Sequence, residues 1–349
     1  MSKDTVETPF WHIEIDAHGR LQRVFDRLRQ REVLAPDESG NQLVVFEDRP
    51  LNYDAWDIDA FYRAKRREVD HLEWIEVLES GPERGVLELR WSFGAQTRIV
   101  QRLCVYARSP RIDFVTQVDW QERQSLLKVG FPTGIRSRRA TYEIQFGSIE
   151  RSTHRNTSWD EAAFEVPAQR WADLSDASYG VALLADCKHG YSIQDSTLWL
   201  SLLKGAIDPD PDADRGKHAF TYSLLPHAAG LEWVRRAAYD LTRPLITRRA
   251  GPQSGPLPAR FSLAHLDTPD ALVETVKWAE DEDALIVRVY EADGGARPAN
   301  LRLGLAASVV DEVDLLERHP RRVPLAAGGE VPLTLRAHEI QTLRVATSD

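Results

Sequence analysis

The strongest constraint on the fold is the alternation of apolar and polar side chains across residues 72–120. Leu87, Leu89 and Trp91 alternate with charged residues, and residues 112–120 repeat the pattern. Gln101 is a polar exception on an otherwise apolar face. Successive side chains of a β-strand point to opposite faces of the sheet, so a period of two predicts strands with one buried face. Short turn segments separate the runs, and we therefore predict an antiparallel meander of three strands.

Helical periodicity is weak along the chain. Residues 20–32 fit either a short helix or a strand followed by a charged turn, and no sustained apolar stripe of helical spacing is evident elsewhere. Strands do not alternate with helices, which argues against a parallel α/β sheet. We predict an all-β chain with a large antiparallel β-sandwich followed by a smaller, immunoglobulin-like β-sandwich.

A linker is predicted at residues 249–258, where two glycines and three prolines occur within ten residues. It separates a large β-sandwich domain, residues 8–250, from a small C-terminal β-sandwich domain, residues 259–349. Short apolar runs in the second segment have the length and spacing of strands in a small sandwich.

Composition narrows the class of protein. The formal net charge is -10 and no basic stripe interleaves with aromatic residues, so no nucleic-acid partner is expected. Cys104 and Cys187 favour two free thiols, with a single bridge between them left open. The polar N-terminus and the short apolar runs predict neither a signal peptide nor a membrane span, and hence a cytoplasmic protein.

Seven segments of the chain carry motifs that are informative as a set, and one of them reads Tyr-Asp-Ala-Trp-Asp-Ile-Asp over residues 53–59. The full set comprises residues 46–59, 120–132, 140–147, 164–174, 179–191, 208–220 and 272–290. In their order and spacing, these segments resemble the C-terminal β region of bacterial α-mannosidases of glycoside hydrolase family 38. The resemblance covers nearly the whole chain, from about residue 10 to residue 345. It implies that the large sandwich is a supersandwich similar to that of aldose mutarotases.

The family's catalytic centre lies in an N-terminal α/β domain and uses a zinc site containing a His-x-Asp pair, together with Asp carboxylates. The one His-x-Asp tripeptide of this chain begins at His265, after the linker, where the resemblance places the final β domain. The sequence contains no His-x-x-x-His or Cys-x-x-Cys spacing, so it does not indicate a compact zinc site. We therefore expect no catalytic residue, no metal ligand and no cofactor in this chain, with zinc held by a catalytic domain that the chain lacks.

The first candidate sugar-binding segment is residues 52–59. Tyr53 and Trp56 are candidate platforms for the C–H faces of a sugar, and Asp57 and Asp59 are candidate acceptors for its hydroxyl groups. The resemblance implies that this segment faces the active site across a domain interface. The alternative is an edge loop with a buried tryptophan and solvated carboxylates.

The second candidate segment, residues 208–218, carries carboxylates at alternate positions, which repel one another unless they bind something. The resemblance implies contacts to the sugar from Asp212, Asp214, Arg215 and His218. A calcium-binding EF-hand is disfavoured, because Arg215 and Thr221 stand where glycine and glutamate are needed. An ion site of another kind and a proline-stiffened acidic surface loop remain alternatives.

Three other tryptophans are predicted to be structural. Large aromatic side chains usually bury most of their area. Trp159, Trp171 and Trp199 are therefore assigned to the sandwich core rather than to a sugar site.

Three functions stay open, and they are given in descending order of preference. The first is a non-catalytic C-terminal β region of an α-mannosidase, which contributes to carbohydrate binding and docks on a zinc-dependent catalytic domain. The second is a free-standing carbohydrate-binding module, and the third is a mutarotase-like sugar enzyme, which needs a general acid and a general base at one site. The expected partners are a mannose-containing carbohydrate, which implies mannose metabolism, and an α/β catalytic domain or subunit. A homo-oligomer is left open.

Overall fold

The fold is described by a computed structural model, which covers residues 1–256 and 258–347. Strands make up 51% of the residues and helices 6%, which confirms the all-β prediction. None of the helices in this part of the chain has the length and apolar character that a membrane crossing needs. Cys104 is buried and Cys187 is exposed, and both are free thiols as predicted.

The chain divides into two compact units. One consists of Met1–Glu143 and Ile149–Leu245, and the other of Ile144–Ser148 and the chain from Ile246 onward. The predicted domain limits at residues 8–250 and 259–349 stay predictions, because compactness does not show which segments fold independently.

The chain as far as Thr242 contains nineteen strands, a 3-10 helix and two α-helices. The helices are the 3-10 helix Ala60–Ala64, α1 Ser158–Ala162 and α2 Glu232–Thr242. The strands are β1 Thr5–Glu7, β2 Trp11–Ile15, β3 Leu21–Asp26, β4 Arg31–Glu32, β5 Gln42–Glu47, β6 Arg66–Glu68, β7 Leu72–Ser80, β8 Arg84–Phe93, β9 Thr97–Tyr106, β10 Ile112–Trp120, β11 Ser125–Pro132, β12 Arg139–Ile144, β13 Gly147–Ser152, β14 Val166–Pro167, β15 Trp171–Ser175, β16 Tyr179–Ala185, β17 Gly190–Gln194, β18 Thr197–Lys204 and β19 Gly216–Ala228.

These strands form three sheets. The nine-stranded sheet has the order β13-β12-β15-β16-β19-β10-β9-β8-β7, and the six-stranded sheet has the order β14-β17-β18-β11-β5-β6. A four-stranded sheet, β1-β2-β3-β4, completes the set. Side chains from all three sheets share one buried core, with Trp11, Phe114 and Phe131 among its largest members. Sheets that bury their apolar faces against each other form a β-sandwich, as predicted.

The predicted meander is confirmed. Strand β9 pairs antiparallel with β8 on one side and with β10 on the other. Residues 20–32 adopt the strand alternative, because they form β3, a turn and β4. The aliphatic residues of this segment are buried, with Leu21 and Val24 facing the common core.

Helix α2 shows that the expectation of no further helical stripe was wrong. Val234 and Ala238 are fully buried, and Leu241 packs against the same small core at helical spacing. The helical pattern is hard to read from sequence because Trp233, which is 59% exposed, interrupts the polar face. The apolar stripe is thus narrow, and it covers one patch of the nine-stranded sheet.

A closed polar network lies within the large core. Gln101 donates to the hydroxyl groups of Thr116 and Tyr222 at 2.9 and 2.8 Å, and it accepts from Asn41 at 2.8 Å. The Tyr222 hydroxyl in turn donates to the Asn41 side-chain oxygen at 2.6 Å. All four side chains are buried, so each group depends on the others for a hydrogen-bond partner.

Replacing Tyr222 with phenylalanine is expected to lower the free energy of unfolding by about 1–2 kcal/mol, because it leaves Asn41 and Gln101 with unpaired buried groups. Urea unfolding measures the loss. Tyr53→Phe is the matched control, since Tyr53 is 72% exposed, and its effect should stay within about 0.5 kcal/mol. Equal losses in the two variants would mean that the network does not stabilise the core.

Residues 258–347 contain eight strands in two sheets with a core of their own. The strands are β20 Ala264–Leu266, β21 Ala271–Trp278, β22 Leu285–Glu291, β23 Arg297–Leu303, β24 Ala307–Val313, β25 Arg321–Arg322, β26 Glu330–Leu335 and β27 Ile340–Thr347. The sheets have the orders β20-β23-β26 and β21-β22-β27-β24-β25. Val289 and Val345 from one sheet and Leu301 from the other lie in the same buried cluster. This arrangement is the small β-sandwich that the sequence predicts.

Candidate functional site

The first candidate segment forms a tight, ordered loop between β5 and the 3-10 helix. The backbone N–H groups of Trp56 and Asp57 both donate to the Tyr53 carbonyl at 2.8 Å. Tyr53 itself has a φ of 54°, which lies in the left-handed region. One oxygen of the Asp59 carboxylate accepts the Leu51 N–H at 2.7 Å. Asp59 therefore closes the loop, whereas the Asp57 carboxylate points to solvent as an exposed group.

The aromatic side chains of this loop are exposed. Tyr53 is 72% exposed and Trp56 73%, and their neighbours Leu51 and Phe61 are also exposed. We call residues 51–61 the aromatic loop. The alternative of a buried Trp56 is wrong, because the loop turns away from the sandwich core. Exposed rings on a hydrogen-bonded backbone form a surface that can receive another molecule.

Lys204, the last residue of β18, anchors the aromatic loop to the sandwich. Its ammonium group donates to the Asp48 carboxylate, and it also donates to the Asp57 carbonyl oxygen at 2.8 Å. The Asp48 side chain is 2% exposed. Burial raises the pKa of Asp48, and the hydrogen bond from Lys204 opposes that rise.

Asp54 joins the two candidate segments. Its carboxylate accepts the backbone N–H groups of Ile207 and Asp208 at 2.7 and 3.2 Å. The aromatic loop therefore lies beside the start of the acidic segment, although the two are about 150 residues apart in the chain. The second oxygen of Asp54 is buried without a hydrogen-bond partner in the described part of the chain. Asp54 lies within the motif that carries the resemblance, but its linking role was not predicted.

One carboxylate of the acidic segment, Asp212, is neutralised locally. The Asp212 carboxylate accepts from Arg123 at 2.6 Å and from Arg215 at 2.7 Å. Hydrogen bonds from Arg215 and Arg123 lower the pKa of Asp212. Arg215 also donates to the Gln121 side chain at 3.0 Å. Two arginines thus relieve the anticipated repulsion at Asp212, one from within the segment and one from outside it.

The remaining candidates of the acidic segment contact each other. Asp214 has a φ of 58°, and its carbonyl oxygen accepts from the His218 ring at 2.7 Å. The Asp214 carboxylate itself lies on the exposed side of the turn. His218 pairs with Val118 at the start of the long strand β19, which fixes the base of the segment.

A mixed-charge cavity of about 280 Å³ lies next to Arg123. It is lined by Glu47, Arg49, Lys65, Arg67, Glu122, Arg123, Gln124 and Ser125. Its volume is close to the lower limit of small-molecule sites. Acidic and basic groups on the same walls suit a neutral, hydroxyl-rich ligand better than a charged one.

A buried charge cluster lies beneath the 3-10 helix. The Lys128 ammonium group contacts the Glu165 carboxylate and, at 3.2 Å, the Tyr62 hydroxyl. The Ser201 hydroxyl donates to the second oxygen of Glu165. Lys128 is fully buried in the middle of β11. Because Tyr62 belongs to the 3-10 helix, the cluster fixes the C-terminal end of the aromatic loop to the sheet.

The matched families agree with the architecture. Residues 6–212 match the model of the glycosyl hydrolases family 38 C-terminal domain. Residues 271–343 match the glycosyl hydrolases family 38 C-terminal β-sandwich domain. The chain is a C-terminal region of glycosyl hydrolase family 38. The resemblance found in the sequence is thereby confirmed.

Curated relatives of this family 38 chain are α-mannosidases. Alpha-mannosidase 2C1 of Homo sapiens is 40% identical over 323 residues, which cover 90% of this chain and 31% of the relative. Alpha-mannosidase G of Dictyostelium discoideum is 39% identical over 313 residues, which cover 84% of this chain and 28% of the relative. The family 38 chain thus spans about a third of the length of these relatives.

A solved α-mannosidase shares the fold of the family 38 chain. The crystal structure of an alpha-mannosidase from Enterococcus faecalis V583 superposes with a TM-score of 0.79 at 16% sequence identity. The superposition covers 99% of this chain and 42% of that chain. At this identity, the likeness shows a common fold.

The His-x-Asp tripeptide of the family 38 chain has a local structural role. The Asp267 carboxylate accepts the backbone N–H of Asn300 at 2.8 Å and its side-chain amide at 2.7 Å. These bonds lower the pKa of Asp267. Within residues 1–256 and 258–347, no group of three or more His, Cys, Asp or Glu side chains is arranged to hold a metal ion.

The prediction for the three tryptophans is only partly right. Trp171 is buried, and Trp199 packs against a small core cluster. Trp159 is 86% exposed, so its assignment to the core is wrong. It lies on the short helix α1, whose first turn is closed by a capping box between Thr157 and Asp160. The capped helix leaves the ring facing solvent, which composition alone does not reveal.

Proposed function

We propose that this chain acts as the non-catalytic C-terminal β region of an α-mannosidase, docking on a zinc-dependent α/β catalytic domain and contributing to its mannose-binding site. The aromatic loop is the observation that carries the proposal. Its rings are exposed, yet Lys204, Asp54 and the buried cluster at Glu165 hold its backbone in place. Large apolar side chains held exposed to water lower the solubility of a protein unless a partner covers them.

The length of the relatives supports docking. Two thirds of each curated α-mannosidase lies outside the region that this chain matches. That remainder offers room for an α/β catalytic domain. The zinc of the family would then belong to the partner domain, and this chain would supply contacts.

Each candidate side chain has a distinct proposed role. Trp56 and Tyr53 offer faces for the sugar ring or for the partner domain. Asp57 has a free carboxylate, and Asp59 keeps one oxygen beyond its bond to the Leu51 N–H. These acceptors suit sugar hydroxyl groups. The set is completed by the acidic segment, with Asp212, Asp214, Arg215 and His218.

The test combines the chain with the α/β domain of a family 38 α-mannosidase encoded in the same genome, using 4-nitrophenyl α-mannoside as substrate. We expect no turnover by the isolated chain and zinc-dependent turnover by the combination. Trp56→Ala should lower kcat/KM by about tenfold, which corresponds to about 1.4 kcal/mol. Trp74→Ala is the matched control, because Trp74 is also exposed but lies on β7, and it should leave kcat/KM unchanged.

Two outcomes would contradict the proposal. Robust hydrolysis by the isolated chain would show that the catalytic groups lie within it. Equal losses in the Trp56→Ala and Trp74→Ala variants would show that the aromatic loop has no special part in the site.

A further inference from the structure

A second cavity, of about 590 Å³, lies at the other end of β18 from Lys204. It is lined by Arg136, Ser137, Arg138, Thr153, His154, Asn156, Asp195 and Ser196. Strand β18 has eight residues, so at ~3.3 Å per residue its two ends are about 23 Å apart. The cavity therefore lies at the opposite end of the strand from the Lys204 anchor, and an inference about it does not rest on the function proposed above.

Two arginines, Arg136 and Arg138, line the cavity. No carboxylate of the described residues forms an ion pair with Arg136 or Arg138. The Nδ1 atom of His154 is buried without a hydrogen-bond partner, and so is one terminal nitrogen of the adjacent Arg155. Asp195 is the one acidic residue among those that line the cavity. Guanidinium groups that line one space and are not neutralised by carboxylates are common donors for a phosphate group.

The cavity walls are fixed by hydrogen bonds between neighbouring segments. The buried Thr153 side chain donates to the Ser137 carbonyl at 2.6 Å, and the Asp195 N–H donates to the Thr153 carbonyl at 2.7 Å. The Thr133 hydroxyl donates to the Ser196 carbonyl at 2.9 Å. The backbone that carries the basic side chains is thus held in position, which lowers the entropy that a bound anion has to remove.

Helix α1, which carries Trp159, lies next to this cavity. The Asp160 carboxylate, on the same short helix, lies 3.6 Å from the Nδ1 atom of His154. Trp159 is 86% exposed, although a core position was expected for it. An exposed indole on this helix offers a stacking face to a ligand whose anionic group binds the basic side chains of the cavity. This combination matches a sugar that carries a negatively charged substituent.

We propose that this cavity binds a phosphorylated sugar, with Arg136 and Arg138 as ligands of the phosphate group and Trp159 as the platform for the sugar ring. The neutral hydroxyl groups of the sugar face the Ser137, Asn156 and Asp195 side of the cavity. The site is a binding site, and no bond is made or broken in it.

Isothermal titration calorimetry of the full chain at low ionic strength tests the proposal with inorganic phosphate, mannose 6-phosphate and mannose. We expect saturable binding of both phosphate ligands, with mannose 6-phosphate bound more tightly. Arg136→Gln/Arg138→Gln should weaken both by at least about tenfold. Arg139→Gln is the matched control, because Arg139 is adjacent in sequence but pairs with Glu150 at 3.1 Å, and it should bind like wild type.

The Trp159→Ala variant distinguishes a phosphorylated sugar from free phosphate as the ligand. It should weaken mannose 6-phosphate by about fivefold and leave inorganic phosphate unchanged, because only the sugar contacts the indole. Absence of saturable phosphate binding by the wild-type chain would overturn the proposal, as would an equal loss in the Arg139→Gln control. Equal affinity for the two phosphate ligands, unaffected by Trp159→Ala, would overturn the sugar part and leave a site for free phosphate.

Discussion

Replacing Glu165 with leucine is expected to lower the free energy of unfolding by about 3–5 kcal/mol. The Lys128 side chain is 1% exposed, and that of Glu165 is 11% exposed. Removing the carboxylate leaves an ammonium group in the interior of the sandwich without a counter-charge. A buried charge without a partner costs several kcal/mol, far more than the net contribution of the intact pair. Urea unfolding at neutral pH measures the loss.

The double variant Lys128→Met/Glu165→Leu separates the loss of a partner from the loss of the pair. It removes both charges and fills similar volume, so it should recover most of the stability that Glu165→Leu loses. Glu150→Leu is a matched control, since Glu150 is 57% exposed and pairs with an exposed arginine, and it should cost at most about 1 kcal/mol. A double variant no more stable than Glu165→Leu would contradict the argument.

The same substitution is expected to reach the candidate site. Tyr62 contacts Lys128, and its neighbour Arg63 donates to the Phe164 carbonyl at 2.9 Å and to the Ser192 hydroxyl at 2.8 Å. These contacts hold the 3-10 helix that ends the aromatic loop. The Glu165→Leu substitution removes the carboxylate that Lys128 contacts beneath this helix. Amide exchange in the aromatic loop should therefore accelerate more than in β8 or β9.

The fold could be predicted where each residue's neighbours along the chain determine its environment. The alternation in β8 and β10 is a local property, and it holds because one face of each strand is buried throughout. Helix α2 escaped prediction because a narrow stripe, formed by Val234 and Ala238, is enough to cover a patch of sheet. Because Trp233 is apolar but exposed, the sequence pattern there looks like an irregular apolar run rather than a helical stripe.

The candidate site could be predicted only in part. The motif around Trp56 pointed to a loop whose rings are exposed, and its part in sugar binding stays a prediction. The contacts that shape it join residues far apart in the chain, such as Lys204 and Asp48, which are 156 residues apart. Nothing local distinguishes Lys204 from any other lysine at the end of a strand. The assignment of Trp159 to the core failed for a different reason. The average burial of aromatic residues does not determine the exposure of one ring on a capped surface helix.

Replacing Lys204 with methionine is expected to lower the free energy of unfolding by about 2–4 kcal/mol at neutral pH. Asp48 is buried, and Lys204 is its counter-charge as well as the donor to the Asp57 carbonyl. The substitution preserves most of the apolar stem, so the loss comes from the charge and its hydrogen bonds. The aromatic loop then loses its anchor to β18, and hydrogen exchange at Asp57 and its neighbours should accelerate with it.

The pH dependence of this loss identifies Asp48 as its cause. Burial already raises the pKa of Asp48, and removing the hydrogen bond from Lys204 raises that pKa further. A carboxyl group whose pKa is higher in the folded than in the unfolded state favours folding when protonated, and this stability is lost as pH rises through the folded pKa. The difference in the free energy of unfolding between wild type and Lys204→Met should therefore shrink as the pH falls from 7 towards the pKa of an unfolded aspartate, about 4. Lys65→Met, which removes an exposed lysine paired with Glu47 at 2.8 Å, should cost at most about 0.5 kcal/mol with no such trend. A Lys204→Met loss that does not change with pH would assign the effect to the loop anchor alone, without a contribution from the buried carboxylate.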